Sequence, residues 1–150
     1  MCFPTGWPRP EETGFDGWSD GDSSGTSGAE RELLRILDYI RERAVPNVVF
    51  ISGDTHYPFA LPYDPFKEGK PLCHEIGATP LHALCLPPPE RGPDMSLNPT
   101  SLYSAGTFGG DLCNFGHIAI SDAGELTMSL RDRKGEVLFS KALQPARGRA

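Results

Sequence analysis

One short stretch, residues 47–60, limits the possible fold more than any other part of the chain. It opens with the apolar run Val48-Val49-Phe50-Ile51, which stops at Ser52-Gly53. A short unbroken run of β-branched and aromatic residues predicts a strand buried on both faces. Open α/β sheets bind their ligands just beyond the C-terminal ends of such strands. The residues that follow the run are therefore candidate site residues.

Two of those residues, Asp54 and His56, carry side chains that can bind a metal ion. In an extended backbone they would lie on one side of the chain, with Thr55 pointing away. A carboxylate oxygen and an imidazole nitrogen placed together suit a divalent or trivalent cation. The same spacing also fits a turn aspartate beside a hydrogen-bonded histidine, and two ligands do not fill a coordination sphere. The pair predicts either part of a metal site or a structural turn.

A helix is predicted just before this strand. Ser27-Gly28-Ala29-Glu30 has the pattern of a capping box, in which the hydroxyl and the carboxylate satisfy backbone amides reciprocally. Pro46 should end the helix, because the residue before a proline is pushed out of helical backbone. Helix, short turn and strand form one αβ unit of a layered sheet. Its apolar stripe is Leu33, Leu34, Ile36, Leu37 and Ile40.

The middle of the chain has weaker signals. Residues 58–66 are apolar but broken by prolines, which predicts an edge strand or an extended path. Residues 73–78 predict a short strand. Residues 85–113 predict one long irregular loop, which in a compact domain is functional or partly disordered.

The C-terminal part predicts an antiparallel β meander, since short runs with period-two patterning alternate with tight turns. The three strands fall at residues 112–120, 125–131 and 137–143, with turns at 122–124 and 134–135. The fold class expected from the whole chain is α/β (α+β), with one αβ unit followed by this meander.

The expected organisation is an irregular loop segment over residues 1–26, one domain over residues 27–145 and a tail over residues 146–150. The first segment is rich in Gly, Pro and Ser but contains Trp18. Trp18 is interpreted either as a hydrophobic anchor under the loop or as part of a substrate pocket. Tyr57, which follows His56, is a second candidate for that pocket.

The other histidines give no clear prediction of a site. His74 and Glu75 are adjacent on a predicted strand, so their side chains point to opposite faces and do not form a ligand pair. His82 is interpreted as a structural histidine, and no role is assigned to His117.

Composition excludes several classes of protein. The formal net charge of −6, without a Lys/Arg cluster, argues against a nucleic-acid partner. The longest apolar runs fall far short of the roughly 18 residues of a membrane helix, and the N-terminus has no signal-peptide pattern. The four cysteines include no C-x-x-C pair and predict neither a zinc ribbon nor a disulfide framework.

The order of the motifs resembles the C-terminal part of the PhoD-like alkaline phosphatases, a branch of the calcineurin-like metallophosphoesterases. The resemblance runs over residues 14–145. The stretches that carry it are Gly14-Phe15-Asp16-Gly17-Trp18, Glu30-Arg31-Glu32-Leu33-Leu34, Ser52-Gly53-Asp54-Thr55-His56-Tyr57, Tyr63-Asp64-Pro65, Glu75-Ile76, Pro80-Leu81-His82-Ala83, Asn114-Phe115-Gly116-His117-Ile118-Ala119-Ile120, Leu126-Thr127-Met128 and Leu138-Phe139-Ser140-Lys141-Ala142-Leu143.

The resemblance implies part of an αββα sandwich that binds metal ions, with iron and calcium expected. It also implies hydrolysis of small phosphate mono- or diesters. Asp54 and His56 match the last metal-binding motif of that family. Relatives are often exported, which suggests a periplasmic or extracellular location, although the chain itself shows no address.

The family's remaining metal ligands lie in a larger N-terminal part, and nothing before Asp54 resembles them. The resemblance therefore implies a C-terminal segment that needs a missing N-terminal half or self-association to work. A second hypothesis is a non-catalytic remnant or interaction module that pairs through an exposed sheet edge. A third is a small metal-binding protein that acts alone.

Overall fold

The computed structural model describes residues 28–90, 93 and 95–146, and the side chains from residue 31 onward. The described part contains one α-helix, α1 (Gly28–Glu42), and a short 3₁₀ helix at Met95–Leu97. Its seven strands are β1 (Val49–Ser52), β2 (Phe59–Tyr63), β3 (Cys73–Gly77), β4 (Tyr103–Ser104), β5 (Asn114–Ile120), β6 (Leu126–Asp132) and β7 (Val137–Leu143).

Helix α1 forms where the apolar stripe predicted it, and Leu33, Leu37 and Ile40 are buried. It ends before Pro46, as predicted, but the cap is already complete at Ala44, which has a φ of 48°. The amide of Ala44 donates to the carbonyl of Arg41, and the amide of Val45 donates to that of Ile40. This is the Schellman pattern, which satisfies carbonyls at the helix end. Ser27, the predicted N-cap, lies outside the described residues.

The first sheet contains four strands in the order β1-β3-β2-β4. Strand β1 runs parallel to β3, and the other pairs are antiparallel. The prediction of an edge strand or extended path for residues 58–66 was wrong, because β2 is buried along its length between β3 and β4. Pro62 has no amide hydrogen to donate, but its ring nitrogen and its carbonyl face the side of β2 away from β3. On that side, in the described part of the chain, the only pairing at Pro62 is the hydrogen bond that its carbonyl accepts from the amide of Thr100, so the strand tolerates the proline. The predicted long loop likewise contains the short strand β4.

The second sheet is the antiparallel meander β5-β6-β7, which confirms the prediction for the C-terminal part. The pairing of β6 with β7 shifts register between Leu130 and Arg131. This bulge places one extra residue of β7 opposite β6 and bends the strand.

Three layers follow from how these elements pack. One face of the first sheet packs against α1, and its other face packs against the second sheet. The first core contains Leu33, Leu37, Tyr57, Phe59, Leu61, Tyr63, Cys73 and Leu97. The second core contains Ala60, Ile76, Met128 and Leu130. The order helix, sheet, sheet confirms the mixed α/β (α+β) class and is consistent with part of an αββα sandwich.

Strand β1 differs from its prediction as a strand buried on both faces. Val49 and Phe50 are half-buried, and Ile51 is 58% exposed. The reason is that β1 is an edge strand in the described part of the chain, with β3 as its partner on one side. No helix among the described residues is long and apolar enough to cross a membrane.

Candidate functional site

The candidate site is the loop that joins β1 to β2. Residues 53–58 leave the C-terminal end of β1 and lead directly into the buried strand β2. Strand β3 is parallel to β1 and ends at the same edge of the sheet, where the amide of Ala78 donates to the carbonyl of Ser52. The loop therefore lies where parallel strands of an open sheet expose their C-terminal ends.

The backbone of this loop is bent, and the expectation of an extended Asp54-Thr55-His56 segment was wrong. Asp54 has a φ of 66° and His56 a φ of 63°. Both values lie in the left-handed region, which costs free energy for any residue with a Cβ atom. Thr55 stabilises the bend, because its hydroxyl donates a hydrogen bond to the carbonyl of Tyr57 at 2.9 Å. Two strained residues so close together are typical of a functional segment.

The ring of His56 is held by the chain. Its Nδ1 lies 2.5 Å from the carbonyl oxygen of Leu84. Because a carbonyl oxygen only accepts hydrogen bonds, Nδ1 carries the proton and Nε2 has a lone pair in the neutral ring. Histidine ligands of metal ions commonly donate their second ring nitrogen to a carbonyl in this way.

Asp54 is exposed, and in the described part of the chain its carboxylate makes no hydrogen bond or ion pair. Its oxygens suit a hard cation such as calcium, and the imidazole nitrogen of His56 suits iron. The donors present therefore fit the metals that the family resemblance implies. They are two donors, however, and the described residues hold no group of three or more His, Cys, Asp and Glu side chains that could bind an ion.

The two candidate pocket residues have different outcomes. Tyr57 is buried in the core beneath the loop, and its ring centre lies 5.9 Å from that of Phe59. Trp18 lies outside the described residues. A role for either in a substrate pocket stays a prediction.

The remaining histidines lie apart from the loop or make no contact with it in the described residues. His74 is half-buried on β3, and burial, followed by the charge of Lys141, lowers its pKa. The prediction that His74 and Glu75 point to opposite faces is confirmed, because Glu75 lies in the layer next to α1. His82 and His117 are exposed.

Sequence reasoning missed the segment that holds the loop from behind. Besides the bond to Leu84, the carbonyl of His56 accepts a hydrogen bond from the amide of Leu86 at 2.8 Å. Cys85, between those two residues, is buried. No local sequence signal marks this contact, since backbone groups almost 30 positions away make it.

Sequence reasoning also missed the buried carboxyl group of Glu75. Its Oε2 accepts a 2.5 Å hydrogen bond from the hydroxyl of Tyr63. Burial raises the pKa of Glu75 to about 8, although the hydroxyl groups of Tyr63 and Ser52 both lower it. Burial, and to a smaller extent the charge of Glu75, raises the pKa of the neighbouring Cys73 thiol to about 12. No alternation of apolar residues along β3 marks this inward position, because Cys73 and Ile76 lie on opposite faces of the strand.

Comparison with known proteins agrees with the architecture of the chain. A family model described as PhoD-like phosphatase matches residues 5–134. No curated protein and no solved structure matches significantly. The matched region includes α1, the whole first sheet and the loop that carries Asp54 and His56. The chain therefore belongs to the PhoD-like phosphatase family.

Proposed function

We propose that this chain is the C-terminal segment of a metal-dependent phosphatase or phosphodiesterase that hydrolyses small phosphate esters, with Asp54 and His56 as two of its metal ligands. The observation that carries the proposal is the hydrogen bond from His56 Nδ1 to the Leu84 carbonyl. It leaves Nε2 as the basic nitrogen in a loop that also carries an exposed carboxylate. Membership of the family supports a phosphate ester as substrate.

The chemistry assigned to the chain is limited to holding metal ions. Asp54 would supply oxygen and His56 nitrogen, with iron and calcium the ions that suit them. Bound ions of this kind activate water as a nucleophile and neutralise the charge that develops on a phosphoryl group. Tyr57 would support the loop from the core, and Trp18 remains a candidate for the substrate pocket.

The small number of metal ligands in the proposed site supports a second protein component that would complete it. Two protein donors leave most of a coordination sphere to be filled, and the described residues offer no third donor beside them. We propose that the missing ligands come from an N-terminal half of the enzyme or from a second copy of the chain. Hydrolysis should then depend on that component.

A second candidate function is supported by open edges in both sheets. In the described part of the chain, β1 and β5 each have one edge without a partner strand. Apolar side chains are exposed on both, with Ile51 at 58%, Ile118 at 36% and Ile120 at 70%. Unpaired edges and exposed apolar side chains favour association with another chain. The alternative is therefore a non-catalytic module that pairs through an exposed sheet edge.

The deciding experiment measures bound metal and hydrolysis on the same sample. Iron and calcium are quantified in the purified chain, and p-nitrophenyl phosphate and bis-p-nitrophenyl phosphate are offered as substrates. The variants are Asp54→Ala and His56→Ala, with His117→Ala as a control for loss of an exposed histidine. The enzymatic proposal expects metal binding that both site variants lose and the control retains.

The outcomes separate the two candidate functions. Metal binding with hydrolysis that appears on association, or on adding an N-terminal half of a relative, supports the enzyme segment. Association that is unchanged by chelators, together with no bound metal and no turnover, supports the interaction module. Metal binding that is equal in wild-type protein and in both site variants overturns the assignment of Asp54 and His56.

A further inference from the structure

The backbone of residues 84–86 contacts His56 through two separate hydrogen bonds. The Leu84 carbonyl accepts from the ring Nδ1 at 2.5 Å, and the Leu86 amide donates to the His56 carbonyl at 2.8 Å. The bond at Nδ1 fixes the imidazole ring, and the bond at the carbonyl fixes the peptide group of His56. The orientation of His56 is thus set by a segment that is distant in sequence.

This support offsets a backbone cost. With a φ of 63°, His56 occupies the left-handed region, and such residues cost on the order of 1–3 kcal/mol unless surrounding contacts hold them. The two bonds from residues 84–86 hold it, together with the hydrogen bond from the Thr55 hydroxyl to the Tyr57 carbonyl. Without them the loop would be expected to relax and turn the imidazole away.

Residues 84–86 are in turn held by the loop of residues 106–112. The Cys85 carbonyl accepts from the amide of Gly109 at 3.0 Å, and its sulfur accepts from the amide of Leu112 at 3.4 Å. Gly106 makes the closest approach. A Cβ atom at this position would lie 2.2 Å from the carbonyl oxygen of Leu86 and 3.3 Å from the Cβ of Tyr57.

We propose that residues 84–86 are a positioning element for His56, which selects the Nδ1–H tautomer and presents Nε2 for metal binding, and that Gly106 keeps this element in place. The metal-binding part of the proposal rests on the proposed function above. The tautomer part does not, because it follows from the carbonyl at Nδ1. Gly106 is a positioning residue, since it touches neither of the proposed ligands.

The test uses the full chain labelled with ¹⁵N-histidine. Long-range ¹H–¹⁵N correlation spectra at about pH 9, above the range in which free imidazole titrates, report the tautomer of each ring. The exposed rings of His82 and His117 serve as internal references. Co²⁺ is then titrated in, and the broadening of His56 signals reports binding at that ring.

The informative variant is Gly106→Ala, because its methyl group would displace the Leu86 carbonyl. The matched control is Gly135→Ala, in the turn between β6 and β7. Gly135 also has a positive φ, 84°, but a Cβ atom there would meet no heavy atom within 4 Å. A second variant, Leu86→Pro, removes the amide that donates to His56 and serves if Gly106→Ala does not fold.

We expect the Nδ1–H tautomer for His56 in wild-type protein and in Gly135→Ala. In Gly106→Ala or Leu86→Pro we expect loss of that tautomer and Co²⁺ affinity about 10-fold lower or more, as for removal of a hydrogen-bond partner of a ligand. An Nε2–H tautomer in wild-type protein overturns the inference. The inference is also overturned if Gly106→Ala and Leu86→Pro give the same spectra and the same Co²⁺ affinity as the control variant. The Nδ1–H tautomer without Co²⁺ binding supports the positioning by residues 84–86 and overturns the metal assignment.

Discussion

The hydroxyl of Tyr63 on β2 donates a 2.5 Å hydrogen bond to Oε2 of Glu75 on β3, and both side chains are buried in the layer beneath α1. Burial is the dominant effect on this carboxyl group, because its pKa is raised to about 8 despite the hydroxyl groups of Tyr63 and Ser52. Ser52 favours the charged form only weakly, since neither its Oγ nor Oε1 of Glu75 has a hydrogen bond of ordinary geometry. Glu75 is therefore mainly protonated at neutral pH.

The first prediction is that stability falls as the pH rises from about 4.5 to 8. Below this window Glu75 is protonated in both the folded and the unfolded chain. Within it the unfolded chain releases the proton while the folded chain keeps it, because the folded pKa is the higher one. The free energy of unfolding should decrease by up to about 1.4 kcal/mol per pH unit from this group. Urea unfolding across this range measures the slope.

Glu75→Gln tests the origin of that slope. The amide has nearly the same shape but no proton to lose, so the variant should lack this part of the pH dependence. At pH 7 it should be more stable than wild-type protein by on the order of 2–3 kcal/mol. Glu136→Gln, on an exposed turn, is the control and should keep the wild-type slope. Equal slopes in wild type and Glu75→Gln would show that Glu75 is ionised in the fold.

The second prediction concerns the close approach of β3 to β2. A Cβ atom on Gly77 would lie 2.1 Å from the ring of Phe59, which is completely buried. Gly77→Ala should lower the free energy of unfolding by about 1–3 kcal/mol or more, the usual cost of overpacking. Gly53→Ala is the matched control, because a Cβ atom there would meet no heavy atom within 4 Å. Chemical denaturation compares the two, and equal stabilities would contradict the packing argument.

The third prediction concerns the exposed edge strands β1 and β5. If Ile51 of β1 and Ile120 of β5 take part in association, replacing both with lysine should reduce self-association, since charges on an edge oppose strand pairing. Light scattering after size exclusion at several concentrations measures the mass. Val137→Lys is the control, because Val137 is 53% exposed on the opposite edge strand, β7. A wild-type chain that is monomeric at every concentration would rule out these edge strands as self-association surfaces.

How much of the structure could be predicted depends on the range of the interactions. Period-two patterning located β6 correctly, because alternate residues such as Met128 and Leu130 face one core. The apolar stripe located α1 in a similar way, because its residues share the face of the helix that is buried. The sequence predicted β1 as the interior strand and β2 as the edge strand, and the structure has them the other way round. Burial of a strand depends on its partner strands, which the local pattern does not specify.

The candidate site likewise combines features that local sequence predicted with features that depend on distant parts of the chain. The position of Asp54 and His56 after a strand followed from local sequence. Their positive φ angles did not, because left-handed backbone is rarely encoded by residues other than glycine. The partner of His56 is a backbone carbonyl, and every residue has one, so no side-chain motif could have indicated Leu84.

The last prediction concerns Asn114, which joins the two sheets near the candidate site. Its side chain is 1% exposed, and Nδ2 donates to the carbonyls of Thr79 at 2.7 Å and Leu112 at 2.9 Å. Asn114→Ala would leave both carbonyls without this donor, so stability should fall by about 2–4 kcal/mol. Lys67→Gly is the control, since Lys67 is exposed with a φ of 55° that glycine adopts freely, and its change should stay within about 0.5 kcal/mol. Thermal and urea unfolding measure the stability of both variants. In Asn114→Ala, hydrogen exchange should also accelerate at the backbone amide of position 114, which donates to the carbonyl of Pro80. Unchanged exchange there, with a stability loss no larger than that of the control, would mean that this side chain does not hold the end of β3 to the start of β5.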